Sequence, residues 1–244
     1  MGATQVQPVD KLGAEARIRQ GWDRPDFPLS DAQISALSDY LQTLNRWNRV
    51  HSLTAIEGLE DQVTRHILDA MAVWPEIVRR FGPDPDIRIA DIGSGMGVPG
   101  IVWAVVMPQS RIDLVERSQK KSAFLRQVCG QLNFQGRVDI LTKDVKQMAL
   151  KEMSQSALAE PFGYDLITSR AFAAPSDFLD KTYAISTQHT QWAALIGRLD
   201  PEICEHTLIK MNNKKSYFLV DEVKKIEVPY LHEDRHLIWI RRSS

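Results

Sequence analysis

Residues 87–101 read IRIADIGSGMGVPGI, and this stretch decides the fold. Branched apolar residues alternate up to Asp91, the pattern of a buried strand. The chain then breaks at Gly93, Gly95 and Gly97, and Pro99 and Gly100 open the next helix. Glycines let the backbone turn tightly and approach a ligand with no Cβ in the way. A helix that starts there aims free N–H groups and its positive dipole end at the same place. Strand, glycine turn and helix in this order put a nucleotide-like cofactor at the carboxyl edge of a parallel sheet.

Which cofactor is decided by the flanking carboxylates. Gly95, Gly97 and Gly100 spell the dinucleotide pattern G-x-G-x-x-G, which alone is weakly specific. Asp91 stands just before the turn, where a carboxylate meets an ammonium group. Glu116 closes a second strand, RIDLVE, where a carboxylate suits the hydroxyls of a ribose. An amino-acid end plus a ribose, without pyrophosphate, describes S-adenosylmethionine. Gly93, Ser94, Gly95 and Gly97 are then the turn residues that face it. A purely structural turn beside a solvated Glu116 is the plain alternative.

The 244-residue chain can bury a full α/β core with a small appendage. With no long apolar run and no apolar signal core in MGATQVQPVDKLGAEARIRQ, a cytoplasmic protein that does not enter membranes is expected. Cys129 and Cys204 lack metal spacing, so reduced thiols and no metal are expected. A net charge of −1 excludes nonspecific polyanion binding by the whole chain, so any nucleic-acid contact comes from a local basic patch.

In chain order, residues 1–28 read as a loose arm and 29–82 as a helical unit. Ser30 and Gln33 make a capping box for its first helix, with Ile34, Leu37, Leu41 and Leu44 as the apolar stripe. A second helix is expected over 61–80, kinked at Pro75. Residues 83–244 form the main domain. Strands are expected near 87–92, 111–116, 138–141, 164–169 and 192–197, and late strands around 217–228 and 235–241. Helical segments lie between the earlier ones, including one capped by Ser118 and a polar stretch after 148. The fold class is α/β, Rossmann-like, with a mostly parallel sheet and an antiparallel C-terminal hairpin.

Three further stretches carry a resemblance. LSDYLQTLNRWNRVHSLTAI from Leu37, VTRHILDAM from Val63 and ITSRAFA from Ile167 stand in order around the glycine turn. Together they resemble the bacterial small-subunit ribosomal RNA guanine-N7 methyltransferases, once called glucose-inhibited division protein B. The resemblance runs from about Leu37 to RHLIWI near the C-terminus. It implies a class I methyltransferase fold, S-adenosylmethionine, and methylation at N7 of a guanine in the decoding-region loop of 16S rRNA; a small-subunit particle as the RNA partner and a monomeric chain are expected beside it. Gly93 and Val98 match the family's cofactor loop, and Asp144, Val145 and Lys146 its adenine-side turn. Arg170 matches the arginine of S-R-A-F, placed in the cofactor shell and at the chemistry. Arg65, His66 and Asp69 match R-H-I-x-D, and Arg235 and His236 match R-H-L. Arg65, His66, Arg235 and His236 are the candidates to face RNA.

Taken from spacing alone, Arg65, His66 and Asp69 make a helix-surface ion pair beside a half-buried histidine. The chain departs from the family at Ser52, where W-N-x-x-x-N-L-T has asparagine. It departs again at Asp144 and Lys146, an apparent swap of Arg-x-Glu, and at Ile196, where L-K-G has lysine. A binding-only or altered-specificity relative therefore stays open beside the enzyme, as does a nicotinamide oxidoreductase that uses the same glycines. Guanine N7 is an unprotonated acceptor, so its methylation needs alignment and no base. A guanidinium at Arg170 suits guanine O6 or a phosphate, or an ion pair to Asp91 or Glu116. The basic runs Arg117–Lys120–Lys121–Arg126, Lys214–Lys215, Lys224–Lys225 and Arg241–Arg242 become a phosphate rim wherever the fold brings them to the carboxyl edge.

Overall fold

A computed structural model describes residues 10–148, 163–170, 175–210 and 217–243. Strands β1 (Arg88–Ile92), β2 (Arg111–Val115), β3 (Val138–Leu141), β4 (Tyr164–Ser169) and β5 (Ser186–Ile196) run parallel. Strands β6 (Leu208–Lys210), β7 (Tyr217–Lys225) and β8 (His236–Arg242) add an antiparallel end. The order among the described residues is β3-β2-β1-β4-β5-β8-β7-β6. The chain leaves β1 toward β2 on one side and returns as β4 on the other. Their carboxyl ends therefore open a crevice at the switch point, directly over the glycine turn.

β5 begins six residues before the expected 192, at Ser186, because a bulge opposite Tyr164–Leu166 breaks the alternation over its polar start. The three-residue β6 has no sequence signal of its own. The polar stretch after 148, Lys214 and Lys215, and the Ala171–Phe172 half of S-R-A-F lie outside the described residues.

Alternation along β1 assigns its side chains to two cores. Ile89 joins Ile112, Leu114 and Leu166 on one face, and Ala90 and Ile92 join Val115, Ile167 and Trp192 on the other. Helix α6 (Gly100–Val106), which follows the turn, is buried along its whole length. One side packs on β1 and β2, and the other is roofed by the N-terminal helices. The Trp103 indole N–H donates to Ala70 O across that roof, at 2.9 Å. Ile34, Leu37, Leu41 and Met71 thus share one core with the sheet. Each such side chain contributes roughly 1.5–3 kcal/mol by leaving water.

The loose arm expected over 1–28 does not hold for residues 11–21, which form helix α1 (Lys11–Gly21). Asp10 caps it by accepting from Leu12 N and Gly13 N, and Ala14, Ile18 and Trp22 bury one turn apart. That narrow stripe in a polar stretch is too weak to register from sequence. Helix α2 (Asp31–His51) starts with the Ser30–Gln33 capping box. The single helix expected over 61–80 is instead divided. α3 (Leu59–Gln62) runs through a π-helical stretch (Val63–Leu68) into α4 (Asp69–Met71), and α5 (Trp74–Phe81) begins anew with Pro75 in its first turn. Proline starts that helix because its missing N–H has no partner to lose there.

Ser52, where the resembling family has asparagine, ends α2 in the left-handed region at φ 47°, ψ 56°. Asparagine tolerates that conformation better than serine. Ser52→Asn is therefore expected to raise stability by about 0.5–1 kcal/mol, measured by urea denaturation.

Candidate active site

The glycine turn carries positive φ at Gly93, Gly95 and Gly97, 71°, 60° and 91°. The glycines have different jobs. A Cβ on Gly97 would stand 2.5 Å from Ile101 Cγ1, and one on Gly100 2.3 Å from Leu114 Cδ2. Those two exist for packing. A Cβ on Gly95 meets only Gly93 O, at 3.7 Å, and Gly93 is exposed. This is the open side of the turn, the space a cofactor with an extended chain and a ribose fits.

The flanking carboxylates hold the turn from below. Asp91 is 1% exposed, and its Oδ2 accepts from Gly100 N at 3.0 Å. Burial pushes its pKa up to about 7. Asp91 therefore pins the helix start beneath the loop through Oδ2. The Ser94 hydroxyl donates to Asp91 O at 2.7 Å, so it too is engaged inside, and Val98 is buried. Glu116 accepts from Gly95 N at 2.9 Å with one oxygen and from Ser118 N at 2.8 Å with the other. Each oxygen keeps a lone pair for a ribose hydroxyl. Beyond β3, Asp144 caps the short turn Val145–Gln147 by accepting from Lys146 N, with Val145 buried and Lys146 exposed.

Arg170 stands at the end of β4. Ser169 beside it donates from Oγ to Ile92 O at 2.8 Å, which ties that end to the start of the glycine turn. The Arg170 guanidinium donates to Arg65 O at 3.2 Å and lies 3.4 Å from Asp69 Oδ2, so of the two roles open to it the ion pair to Asp91 or Glu116 is not formed. Asp69, 7% exposed, also accepts from Arg235 Nε at 3.2 Å. Arg65 turns away to a two-pronged pair with Glu233, at 2.7 and 2.9 Å, and draws that carboxyl down to about 2. The Arg65–Asp69 pair suggested by helical spacing is thus replaced by pairs with distant parts of the same chain, Arg65 with Glu233 and Asp69 with both Arg170 and Arg235. Asp69, Arg170 and Arg235 line a cavity of about 220 Å³ with Leu195, Ile196 and Gly197. His236 pairs with Ile196 across the sheet and holds Gly197 O with Nδ1 at 3.0 Å. Asp69 stood in the R-H-I-x-D motif, but nothing in the sequence marked it as the hub. Glu233 had no signal at all.

His66 cannot face RNA. It is fully buried, with Nε2 3.4 Å from Thr54 Oγ1. Neighbouring side chains of this π-helical stretch leave it in different directions, so Arg65 reaches outward while His66 turns in. Desolvation, then the Arg170 charge, lowers its pKa to about 4. The imidazole is neutral in the fold, whereas the unfolded chain takes up a proton near pH 6.5. Its contribution is therefore complete above pH 6.5 and is lost as pH falls from there toward 4. The stability difference between wild type and His66→Gln should shrink by about 2 kcal/mol from pH 7.5 to 5, read by denaturation at both pH values. A constant difference contradicts the buried neutral form.

Of the basic runs, Lys224, Lys225 and Arg241 are occupied by Glu76, Asp234 and Asp221. The run on α7 (Gln119–Gln131) differs. Ser118 caps that helix, whose start lies at the carboxyl edge after β2; Arg117, Lys120 and Arg126 are exposed, with Lys120 Nζ donating to His51 O at 3.4 Å and Arg126 to Thr142 Oγ1 at 2.6 Å. Tyr40 fixes α2 to the same edge by donating to Met96 O at 3.0 Å. Among the described residues no His, Cys, Asp and Glu group is placed to hold a metal ion, and no helix is long and apolar enough to cross a membrane.

The chain matches the family model for rRNA small subunit methyltransferase G over residues 33–238. It is 35% identical over 235 residues to the ribosomal RNA small subunit methyltransferase G of Dichelobacter nodosus, covering 96% of this chain and 99% of that protein. To the protein of the same name from Janthinobacterium sp. (strain Marseille) it is 35% identical over 243 residues, covering 98% and 99%. Among solved structures it resembles the mitomycin 7-O-methyltransferase MmcR, with a TM-score of 0.50, 11% identity and coverage of 97% and 73%, a likeness of fold alone. The mostly parallel sheet, the glycine turn at its switch point and the near full-length matches lead to one assignment: the chain belongs to the rRNA small subunit methyltransferase G family.

Proposed function

We propose that this chain transfers a methyl group from S-adenosylmethionine to N7 of a guanine in the decoding-region loop of 16S rRNA, presented by a small-subunit particle. The observation that carries the reading is the adjacency of the open glycine turn to the Arg170–Arg235 cavity, both at the carboxyl edge. S-adenosylmethionine supplies, when bound, a methyl group already activated by its sulfonium. Gly93 and Gly95 admit it, Glu116 offers lone pairs to its ribose, and Val145 lines the adenine side.

The rest of the work is alignment. N7 carries its lone pair unprotonated, so no base is required. The cavity fits that demand: its carboxylate, Asp69, is held between two guanidiniums, and His66 is buried away from it. Arg170 and Arg235 orient the RNA so that N7 meets the methyl carbon in line. The departure at Ile196 leaves the cavity cationic, because Arg235 Nη1 comes within 3.5 Å of where a Gly197 Cβ would stand. The α7 run supplies phosphate contacts beside the turn. Calorimetric titration with S-adenosylmethionine and with NAD tests the cofactor. Binding of the first alone is expected, and NAD binding in its place overturns the reading.

A further inference from the structure

Two cations share one carboxylate in the Asp69 cavity. Arg65 is matched by Glu233, Arg170 and Arg235 both lean on Asp69, and Arg235 Nη2 also reaches Glu233 Oε2 at 3.4 Å. Asp69 is 7% exposed, and the two guanidinium side chains are 25% and 21% exposed at the rim. Three guanidiniums thus face two carboxylates, which leaves one positive charge unbalanced beside a concave site of about 220 Å³ with apolar walls at Leu195 and Ile196. An anion completes such a site. The guanidinium fork suits the oxygens of a phosphate.

The direction of charge movement decides between phosphate and base. When the N7–methyl bond forms and the carbon–sulfur bond breaks, the electron pair of that bond stays on sulfur. The positive charge passes from sulfur to the purine ring. A guanidinium pair on the guanine edge would oppose that change, while the same pair on a phosphate does not. We infer that the Asp69–Arg170–Arg235 cavity is a phosphate subsite that seats the backbone phosphate of the nucleotide being methylated. Asp69 acts as the positioning residue that holds the two forks at a fixed separation. The inference rests on the proposed transfer to an RNA guanine, but its test needs no transfer.

The probes are guanosine 5′-monophosphate, guanosine and inorganic phosphate, titrated into the full chain and followed by NMR. Wild type is expected to bind the monophosphate about tenfold or more tighter than guanosine, as charge-assisted hydrogen bonds to one phosphate allow. Inorganic phosphate should compete with the monophosphate. Arg235→Gln should bring the two affinities within about threefold, and Arg235→Lys should keep part of the preference because it keeps the charge. S-adenosylmethionine affinity, measured alongside, should stay unchanged and reports that each variant is folded. Equal affinity of wild type for monophosphate and guanosine overturns the inference. So does an Arg235→Gln variant that loses guanosine as strongly as the monophosphate, since the guanidiniums then hold the base. Should Arg235→Gln not fold, the wild-type preference and Arg235→Lys still decide. A chain that shows the phosphate preference but methylates no rRNA would sink the proposed function and leave the subsite standing.

Discussion

Arg170→Gln is expected to lower methyl transfer by about 100-fold or more while S-adenosylmethionine affinity stays within about twofold. Arg170 binds Asp69 and Arg65 O, and Ser169 fixes its backbone against the end of β1. It therefore stands beside the cofactor turn with its guanidinium directed to Asp69. Losing one held contact to a charged group costs about 2–5 kcal/mol, which sets the scale. Arg170→Lys keeps the charge but not the planar fork and should fall between the two. Single-turnover rates and cofactor titration, run on the same preparations, separate the possibilities. Loss of cofactor affinity with an unchanged rate would move Arg170 into the cofactor shell.

The second large effect is a contrast between two glycines. Gly95→Val should fold yet bind S-adenosylmethionine at least about 100-fold more weakly. Its Cβ enters open space, at the cost of about 1–2 kcal/mol for a positive φ. The branched methyls then fill the volume the cofactor needs. Gly100→Val should fail earlier. Its Cβ would stand 2.3 Å from Leu114 Cδ2 and 2.8 Å from Asp91 Oδ2, inside a helix buried on every side. Overpacking there costs about 3 kcal/mol or more, a large share of a typical domain's stability. Soluble expression and thermal melting read the second effect, calorimetry the first. A Gly95→Val protein with full cofactor affinity would move the site off this turn.

The parts legible in the sequence are those written in short-range pattern. The strand–glycine–helix unit, the Ser30–Gln33 box and the Ser118 cap each need only a few neighbouring residues. The site's working core is not of that kind. Asp69 meets Arg170 across 101 positions and Arg235 across 166, and no local period encodes either contact. Helical spacing even pointed the wrong way, toward an Arg65–Asp69 pair, because it could not foresee Glu233 arriving from the loop before β8. Asp91 is legible at the strand end, but its burial and its hold on Gly100 N under the helix start depend on the packing of α6. His66 changed for the same reason, through burial under the 52–58 loop at Thr54.

Incubation of the purified protein with methyl-labelled S-adenosylmethionine and small ribosomal subunits lacking the modification, followed by digestion of the 16S rRNA to nucleosides, tests the central claim most directly. The expected result is label in 7-methylguanosine alone, at about one methyl per subunit. Label in any other nucleoside, or none with wild-type protein that binds the cofactor, would contradict it.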